Sequence, residues 1–230
     1  MSNLSVCQIA LLGTIEYRQA VEWQKQLVSD VQNGVRPNML LLLEHPHVYT
    51  TGRLGKSEHL PSKQASFDEH AVPIIETDRG GQVTYHGPGQ IVGYPIINLK
   101  PWGGPLKYVR TLEQVIISTL VDLGIETRII PGLTGVWVGD SKIAAIGVKV
   151  SRGVTYHGFS LNVKPNLAYY DDIVPCGITD RGVTSIEALN IAASRLELVQ
   201  GLLCLRFGQI MGYAMERIDE KRLARELKVN

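Results

Sequence analysis

The stretch Gly135-Val136-Trp137-Val138-Gly139-Asp140-Ser141-Lys142-Ile143-Ala144-Ala145-Ile146-Gly147-Val148-Lys149-Val150 reads as a β-hairpin. Two strand-like runs flank a Gly139-Asp140 pair, and a glycine-containing pair is what a two-residue hairpin turn needs. The run Phe159 to Val163 is a further strand candidate downstream. Upstream, Met39 to Glu44, Val72 to Glu76, Gln82 to Tyr85 and Gln90 to Leu99 are strand-like and punctuated by Gly and Pro turns. Helical periodicity surrounds this sheet. Tyr17, Ala20, Val21, Leu27, Val28 and Val31 lie on one face between Thr14, an expected N-cap, and Gly34, an expected terminator. Val109, Leu112, Ile116, Leu120 and Leu123 lie on one face of a second helix, from about Leu106 to Leu123. Ser194 and Glu197 have capping-box spacing ahead of a third, and Asp219 to Lys228 reads as a solvated helix. Strands and helices alternate without a βαβ rhythm. The expected class is therefore α+β, a mixed β-sheet with packed helices.

The length of 230 residues corresponds to about 1.5 typical domains. No linker rich in Ser, Gly or Pro divides it, so residues 1–230 are read as one catalytic domain. Its core spans about 36–215, and the break near Asn190 is the one place where a small C-terminal lobe would begin, at about 190. Hydrophobic residues make up 44% and charged residues 20%, too apolar for a disordered chain. Lys plus Arg number 23 against 22 acidic residues, and a net charge of +1 gives no field for a polyanion, so no nucleic-acid partner is expected. The longest apolar run, Met39 to Leu43, falls far short of the roughly 18 residues a membrane span needs, so no membrane partner is expected either. The opening MSNLSVCQIALLG lacks a basic segment and a cleavage pattern, which predicts a cytoplasmic protein.

The chemistry concentrates in a few places. Asp78-Arg79-Gly80-Gly81-Gln82-Val83-Thr84-Tyr85-His86-Gly87-Pro88-Gly89-Gln90 is the densest cluster of glycine, polar and aromatic residues, and its glycines permit close backbone approach to a ligand. A plain strand-to-strand loop reads equally well there. Val83-Thr84-Tyr85-His86-Gly87 recurs as Val154-Thr155-Tyr156-His157-Gly158 with no fixed period around it, so two strand ends serving one site are expected rather than a solenoid. Of the cysteines, Cys7 and Cys204 sit in apolar runs and read as core, whereas Cys176 lies in a Pro175-Cys176-Gly177 loop that suits an exposed nucleophile. A thiol needs a cation or base beside it. Lys142, opening an apolar strand, is one candidate and His157 the other, and sequence alone places neither next to Cys176. His45 and His47 flank Pro46, but no matching ligand spacing completes a metal site, and none is expected. Arg53 reads as facing a ligand or a partner's carboxylate as readily as solvent.

RGGQVTYHGPGQ at Arg79 to Gln90, KIAAIGVKVSRGVTYHGFSLNV at Lys142 to Val163 and IVPCGITD at Ile173 to Asp180 together resemble the octanoyltransferase family of lipoate biosynthesis. The resemblance runs in the family's block order from LLLEHPHVYTTGR to the helix after Ser194. It implies a fold like the catalytic domain of biotin and lipoate protein ligases, and an acyltransferase. The enzyme would move octanoyl or lipoyl from acyl carrier protein to a lysine of lipoyl domains, through a Cys thioester. Acceptors would be the E2 subunits of 2-oxoacid dehydrogenases and the glycine cleavage H protein. By the same resemblance Cys176 and Lys142 are catalytic. The acyl pocket then falls on Arg79, Gly80, Gly81, Gln82, Val83, Thr84, Tyr85 and His86, on Ala145, Ile146 and Gly147, and on Gly158, Phe159 and Ser160. No ATP or metal would be required, since phosphopantetheine arrives on the carrier and exchange of one thioester for another needs no separate activation. The alternatives are an ATP-dependent lipoate or biotin protein ligase, a cysteine thioesterase using Cys176 and His157, and a carrier-binding module without turnover.

Overall fold

The computed structural model of the protein describes residues 4–55, 72–173, 181–189 and 194–227. A nine-stranded mixed sheet organises them. Its strands are β1 (Ser5–Thr14), β2 (Asn38–Glu44), β6 (Gln90–Ile96), β7 (Arg128–Ile130), β8 (Leu133–Val138), β9 (Ser141–Ser151), β10 (Val154–Asn162), β11 (Gly182–Val183) and β12 (Tyr213–Arg217). The spatial order is β12-β1-β2-β6-β10-β9-β8-β7, with β11 added alongside β9. A separate three-stranded sheet orders β4 (Ile74–Glu76), β3 (Val48–Thr51) and β5 (Val83–His86).

Helices α1 (Tyr17–Gln32), α2 (Pro105–Val121), α3 (Leu196–Met211) and α4 (Glu220–Leu227) cover the large sheet. The residues of β2 show why Met39 to Leu43 reads as unbroken hydrophobicity. Leu40 and Leu42 pack with Leu112 and Ile116 of α2 and Leu203 and Phe207 of α3. Met39, Leu41 and Leu43 pack on the other face with Trp23 and Leu27 of α1 and Leu223 of α4. A strand with helices on both faces needs apolar side chains at every position, not at alternate ones. Among the described residues, no helix is long and apolar enough to cross a membrane.

Several boundaries differ from the sequence reading. Ser5–Thr14, expected only as an apolar run, is a strand paired in parallel with both β2 and β12. Thr14 therefore ends a strand instead of capping α1, whose N-cap is Glu16. The capping box does not form: α3 begins at Leu196 after Arg195, with no side-chain cap, so Glu197 lies too early in the helix to reach back. From Leu196 onward the chain builds on the main sheet, with α3 packing in the α2 cluster and β12 pairing with β1. The charged tail is a helix, largely solvated as its charges imply, with Leu223 packed on the α1 side and Glu226 tied to Arg36 at 2.5 Å.

Candidate active site

The Gly139-Asp140 turn, with Gly139 at φ +54, returns the chain into β9 so that Lys142 follows one residue after it begins. Lys142 is buried, and its Nζ lies 4.8 Å from the centroid of the Trp137 ring on β8. A cation over an indole face is favoured by the ring's quadrupole. Gly135 makes room for the lysine stem: a Cβ there would lie 2.6 Å from the Ala144 carbonyl oxygen and 3.4 Å from Lys142 Cε. The buried Glu113 carboxylate of α2 accepts from the Gly135 N–H at 3.1 Å, fixing that close approach. Thr84, Ala144, Ala145, Ser160, Asn162, Tyr170 and Val183 enclose Lys142 in a small cavity.

A hydrogen-bonded set supports this cavity from behind. Asn162 Nδ2 donates to the Thr184 carbonyl at 3.0 Å, and the Thr184 N–H donates to the Lys142 carbonyl at 3.0 Å. Gln90 Nε2 donates to Asn162 Oδ1 at 2.9 Å and to Tyr170 Oη at 2.9 Å. His86 Nδ1–H donates in turn to Gln90 Oε1 at 2.7 Å. The strand carrying Lys142 is thus braced by side chains of β6 and β10 and by the Leu167–Tyr170 3-10 turn.

Next to this cavity, and sharing Thr84, Ala145 and Ser160 with it, lies a narrow pocket of about 50 Å³ between the large and small sheets. Its floor is made of small residues: Gly158 pairs with Gly147, and Ser160 with Ala145, across β10 and β9. The Arg79–His86 segment supplies the opposite wall through Arg79, Gly80, Gly81, Gln82, Thr84 and His86. Gly80 is held close, its N–H donating to the Val148 carbonyl at 3.1 Å. The Arg79 guanidinium is buried and donates to Thr50 O at 2.7 Å, Thr50 Oγ1 at 2.9 Å and Gly80 O at 3.0 Å.

Of the fourteen residues assigned to the pocket, twelve line it. Val83 and Tyr85 do not. Alternation along β5 turns them to the other side, where they pack with Tyr49, Tyr169, Tyr170 and Ile173. Ile146 and Phe159 line the pocket, but their side chains belong to the α2–α3 core. Three residues that carry no site signal in the sequence complete the pocket: Val92, which pairs with Ser160, and Tyr17 and Tyr94, which lie at the end away from Lys142. Tyr17 reads in the sequence as one more apolar position of an amphipathic helix, and Tyr94 as a core strand residue.

Two neutral imidazoles line or back this end. His45 Nδ1–H donates to the Ile15 carbonyl at 2.6 Å, and its Nε2 accepts from Tyr94 Oη at 2.7 Å. Burial pulls the pKa of His45 down to about 4 and that of His86 to about 3. His47 Nδ1 is 2.7 Å from Tyr85 Oη. Among the described residues no three candidate ligands group around a point where a metal ion would sit. Arg53 is exposed.

The second VTYHG copy behaves differently from the first. His157 has φ +55, a left-handed value that costs an ordinary residue about 1 kcal/mol or more. The turn puts Tyr156 and His157 on the same side, with their rings stacked at 4.8 Å. Both donate to Asp78, at 2.7 and 2.8 Å, and Lys149 Nζ adds a third bond at 2.7 Å. Burial alone would raise the Asp78 carboxyl, but these three donors outweigh it and hold the group well below the usual carboxylate range. His157 and Asp78 line a separate groove of about 490 Å³ beside α1, not the Lys142 cavity.

Cys176 lies outside the described residues. The described chain is anchored on both sides of it, and on the far side directly against Lys142. Ile173 packs with Tyr85 and Tyr169, and Tyr49 Oη donates to Tyr169 O at 2.9 Å and Asp172 Oδ2 at 3.0 Å. On the far side Arg181 pairs with Asp140 at 2.5 Å and lies over Trp137, while Val183 pairs with Lys142 in the sheet. Cys7 and Cys204, by contrast, are buried and half-buried, and burial pushes their thiols up to about 12 and about 11.

Residues 16–204 match the family model for the lipoyl protein ligase A/B catalytic domain. An octanoyltransferase of Solibacter usitatus is 50% identical over 210 residues, covering 91% of this chain and 94% of that protein. One from Gloeobacter violaceus is 45% identical over 212 residues, covering 91% and 92%. The solved bi-partite lipoate protein ligase of Thermoplasma acidophilum superposes with a TM-score of 0.74 at 16% identity, covering 97% of this chain and 92% of that one. At that identity the likeness speaks for the fold alone.

Proposed function

This chain belongs to the lipoyl protein ligase A/B catalytic-domain family, and from that premise we propose how its site works. It is an acyltransferase that transfers octanoyl in protein lipoylation, as its relatives at 43–50% identity are octanoyltransferases. Acyl carrier protein and lipoyl domains are its substrates in general terms; the E2 subunits and the glycine cleavage H protein are the acceptors we propose.

In the proposed reaction the Cys176 thiolate attacks the carbonyl carbon of the octanoyl thioester on the carrier. The C–S bond to pantetheine breaks, and the departing sulfur takes a proton from the Lys142 ammonium. Octanoyl-Cys176 and neutral Lys142 result. A neutral lysine amine of the acceptor then attacks the same carbonyl carbon, gives its proton to Lys142 and expels the Cys176 thiolate, restoring both groups. A thioester supplies the activation that a ligase takes from ATP, so no nucleotide enters.

The observation that carries this reading is the convergence on Lys142. The buried Lys142 amino group sits on Trp137, the small-residue pocket opens beside it, and the chain that resumes after residue 180 pairs with its strand. Cys176 is three positions beyond Ile173 in the sequence, a reach of at most about 11 Å. The raised thiols of Cys7 and Cys204 make them poor nucleophiles at neutral pH. The test is intact mass after incubation with octanoyl carrier and no acceptor. One hydroxylamine-sensitive octanoyl adduct is expected on wild type, Cys7→Ser and Cys204→Ser, and none on Cys176→Ser. An adduct that survives Cys176→Ser, or an absolute ATP requirement for transfer to a lipoyl domain, would overturn the mechanism.

A further inference from the structure

The acyl pocket and the groove beside α1 meet at one side chain. Tyr17, the first residue of α1 and itself buried, lines both. Its ring stacks on His86 with centroids 5.9 Å apart and leans on His45 at 5.0 Å. Burial pushes the pKa of its hydroxyl up to about 12. The ring is therefore a partition packed in place by two buried imidazoles.

Strand β10 runs the length of the arrangement. Asn162 belongs to the Lys142 cavity, Ser160 to that cavity and the pocket, Gly158 to the pocket alone, and His157 to the groove beyond. Asn162 to Gly158 is about 13 Å of strand. An extended eight-carbon acyl chain is about 9 Å long and a fourteen-carbon chain about 16 Å. The first fits between the Lys142 cavity and the Tyr17 ring, and the second does not.

Resting on the octanoyl-transfer reading, we propose that the Tyr17 ring is the end-stop that sets acyl length, and that the groove behind it is the outlet a longer chain takes once the ring is gone. Val21 and Ile75 give that groove an aliphatic surface for the emerging tail, within a rim of Arg18, Glu22 and Lys25. The longest chain accepted is thus set by one aromatic partition at the end of the pocket.

The experiment measures transfer from octanoyl and tetradecanoyl carriers to a lipoyl domain by wild type, Tyr17→Ala and Tyr17→Phe. Each extra methylene seated on apolar surface is worth about fourfold, so Tyr17→Ala should raise the tetradecanoyl-to-octanoyl rate ratio at least about tenfold. Tyr17→Phe, which keeps the ring, should hold the wild-type ratio. Should the Ala variant not fold, the native protein still decides the matter through an octanoyl carrier bearing a diazirine at its methyl end. Irradiation should label Tyr17, His86 or Tyr94. Labelling confined to Asn162 or Val183, or an unchanged ratio in a folded Tyr17→Ala that still transfers octanoyl, overturns the end-stop alone. Failure of the wild type to transfer octanoyl overturns the parent reading as well.

Discussion

Gly147→Ala is the smallest change that tests the pocket wall. A Cβ at this position would stand 2.7 Å from the Gly80 carbonyl oxygen and 3.4 Å from Arg79 Cδ, which is roughly 0.5 Å or more inside comfortable contact with the oxygen. The neighbour is backbone and cannot rotate away. Gly80 is tied to Val148 through its N–H, and its oxygen accepts from Arg79, so relief requires moving the whole Arg79–Gly81 wall. Overpacking of this kind costs about 1–3 kcal/mol, and at about 2–4 °C per kcal/mol for a chain of this size Tm should fall by about 2–12 °C. The functional effect depends on acyl length. Gly147 and Gly158 form the cross-strand pair beyond Ala145 and Ser160, about 7 Å further from the Lys142 end. With the acyl chain in the proposed place, butanoyl is too short to reach that pair, whereas the outer methylenes of octanoyl lie on it. Losing two or three such contacts at about 0.8 kcal/mol each lowers the octanoyl rate by roughly 15- to 60-fold. The assay is initial rates with butanoyl and octanoyl carriers, read by mass on the acceptor domain, alongside a melting curve. An octanoyl-to-butanoyl ratio equal to wild type in a folded Gly147→Ala protein would refute the reasoning and remove Gly147 from the acyl wall.

Lys142→Ala should cut transfer about 10²- to 10⁴-fold, the usual contribution of a positioned proton-transfer group, while a near-normal rate in Lys142→Ala together with loss of activity in His157→Ala would favour the Cys-His alternative. Asn162→Ala leaves the buried Thr184 carbonyl without its side-chain donor and takes one of three acceptors from the Gln90 amide, which should lower stability by about 1–3 kcal/mol in urea unfolding; an unchanged midpoint would deny the brace behind Lys142. His45 and His86 are neutral in the fold, with values of about 4 and about 3 against an ordinary 6.5. Below pH 6.5 the unfolded chain therefore takes up protons that the fold does not, and stability should fall by about 1.4 kcal/mol per pH unit for each histidine down to about pH 4. Equal urea midpoints at pH 7 and pH 5 would show that these imidazoles are not buried as described.

The sheet was legible where local rules and tertiary packing agree. The Gly139-Asp140 turn and the two-sided apolar run of β2 are examples, since turn chemistry and periodicity specify them without knowledge of their neighbours. Ser5–Thr14 was not legible as a strand, because its place between β2 and β12 depends on partners on both sides that are distant in sequence. In the site, the glycine-rich and small positions stood out because a missing Cβ is visible in a sequence. Tyr17, Tyr94 and Asn162 did not stand out, since what makes them part of the site is which cavity their side chains face. Val83 and Tyr85 show the same limit from the other side. The motif holds them beside Thr84 and His86, but a strand sends neighbours to opposite faces, and a contiguous motif is not a contiguous surface.

The repeated VTYHG shows how far identical residues can diverge in role. In the first copy, extended backbone keeps Thr84 and His86 on one face of β5, and both line the pocket proposed for the acyl chain. In the second, Thr155 accepts from the Ile97 N–H at 2.9 Å and donates to the Pro95 carbonyl at 2.7 Å, which uses the side chain to join β10 to the end of β6. The backbone at His157 then turns left-handed and brings its imidazole to Asp78, next to Arg79. Asp78 and Arg79 are adjacent in sequence but look in opposite directions. Asp78 binds Lys149, Tyr156 and His157 in the groove, and Arg79 binds Thr50 within the pocket wall. One copy therefore supplies the wall and the other clamps that wall's preceding residue to β10. The pocket width at Gly147 consequently depends on a carboxylate that never touches the acyl chain. Asp78→Asn, which keeps the shape but weakens three charge-assisted bonds, should loosen the wall and broaden acyl-length preference without altering the Cys176 and Lys142 chemistry. A length profile identical to wild type in Asp78→Asn would mean that Gly80 and its bond to Val148 suffice to hold the wall alone.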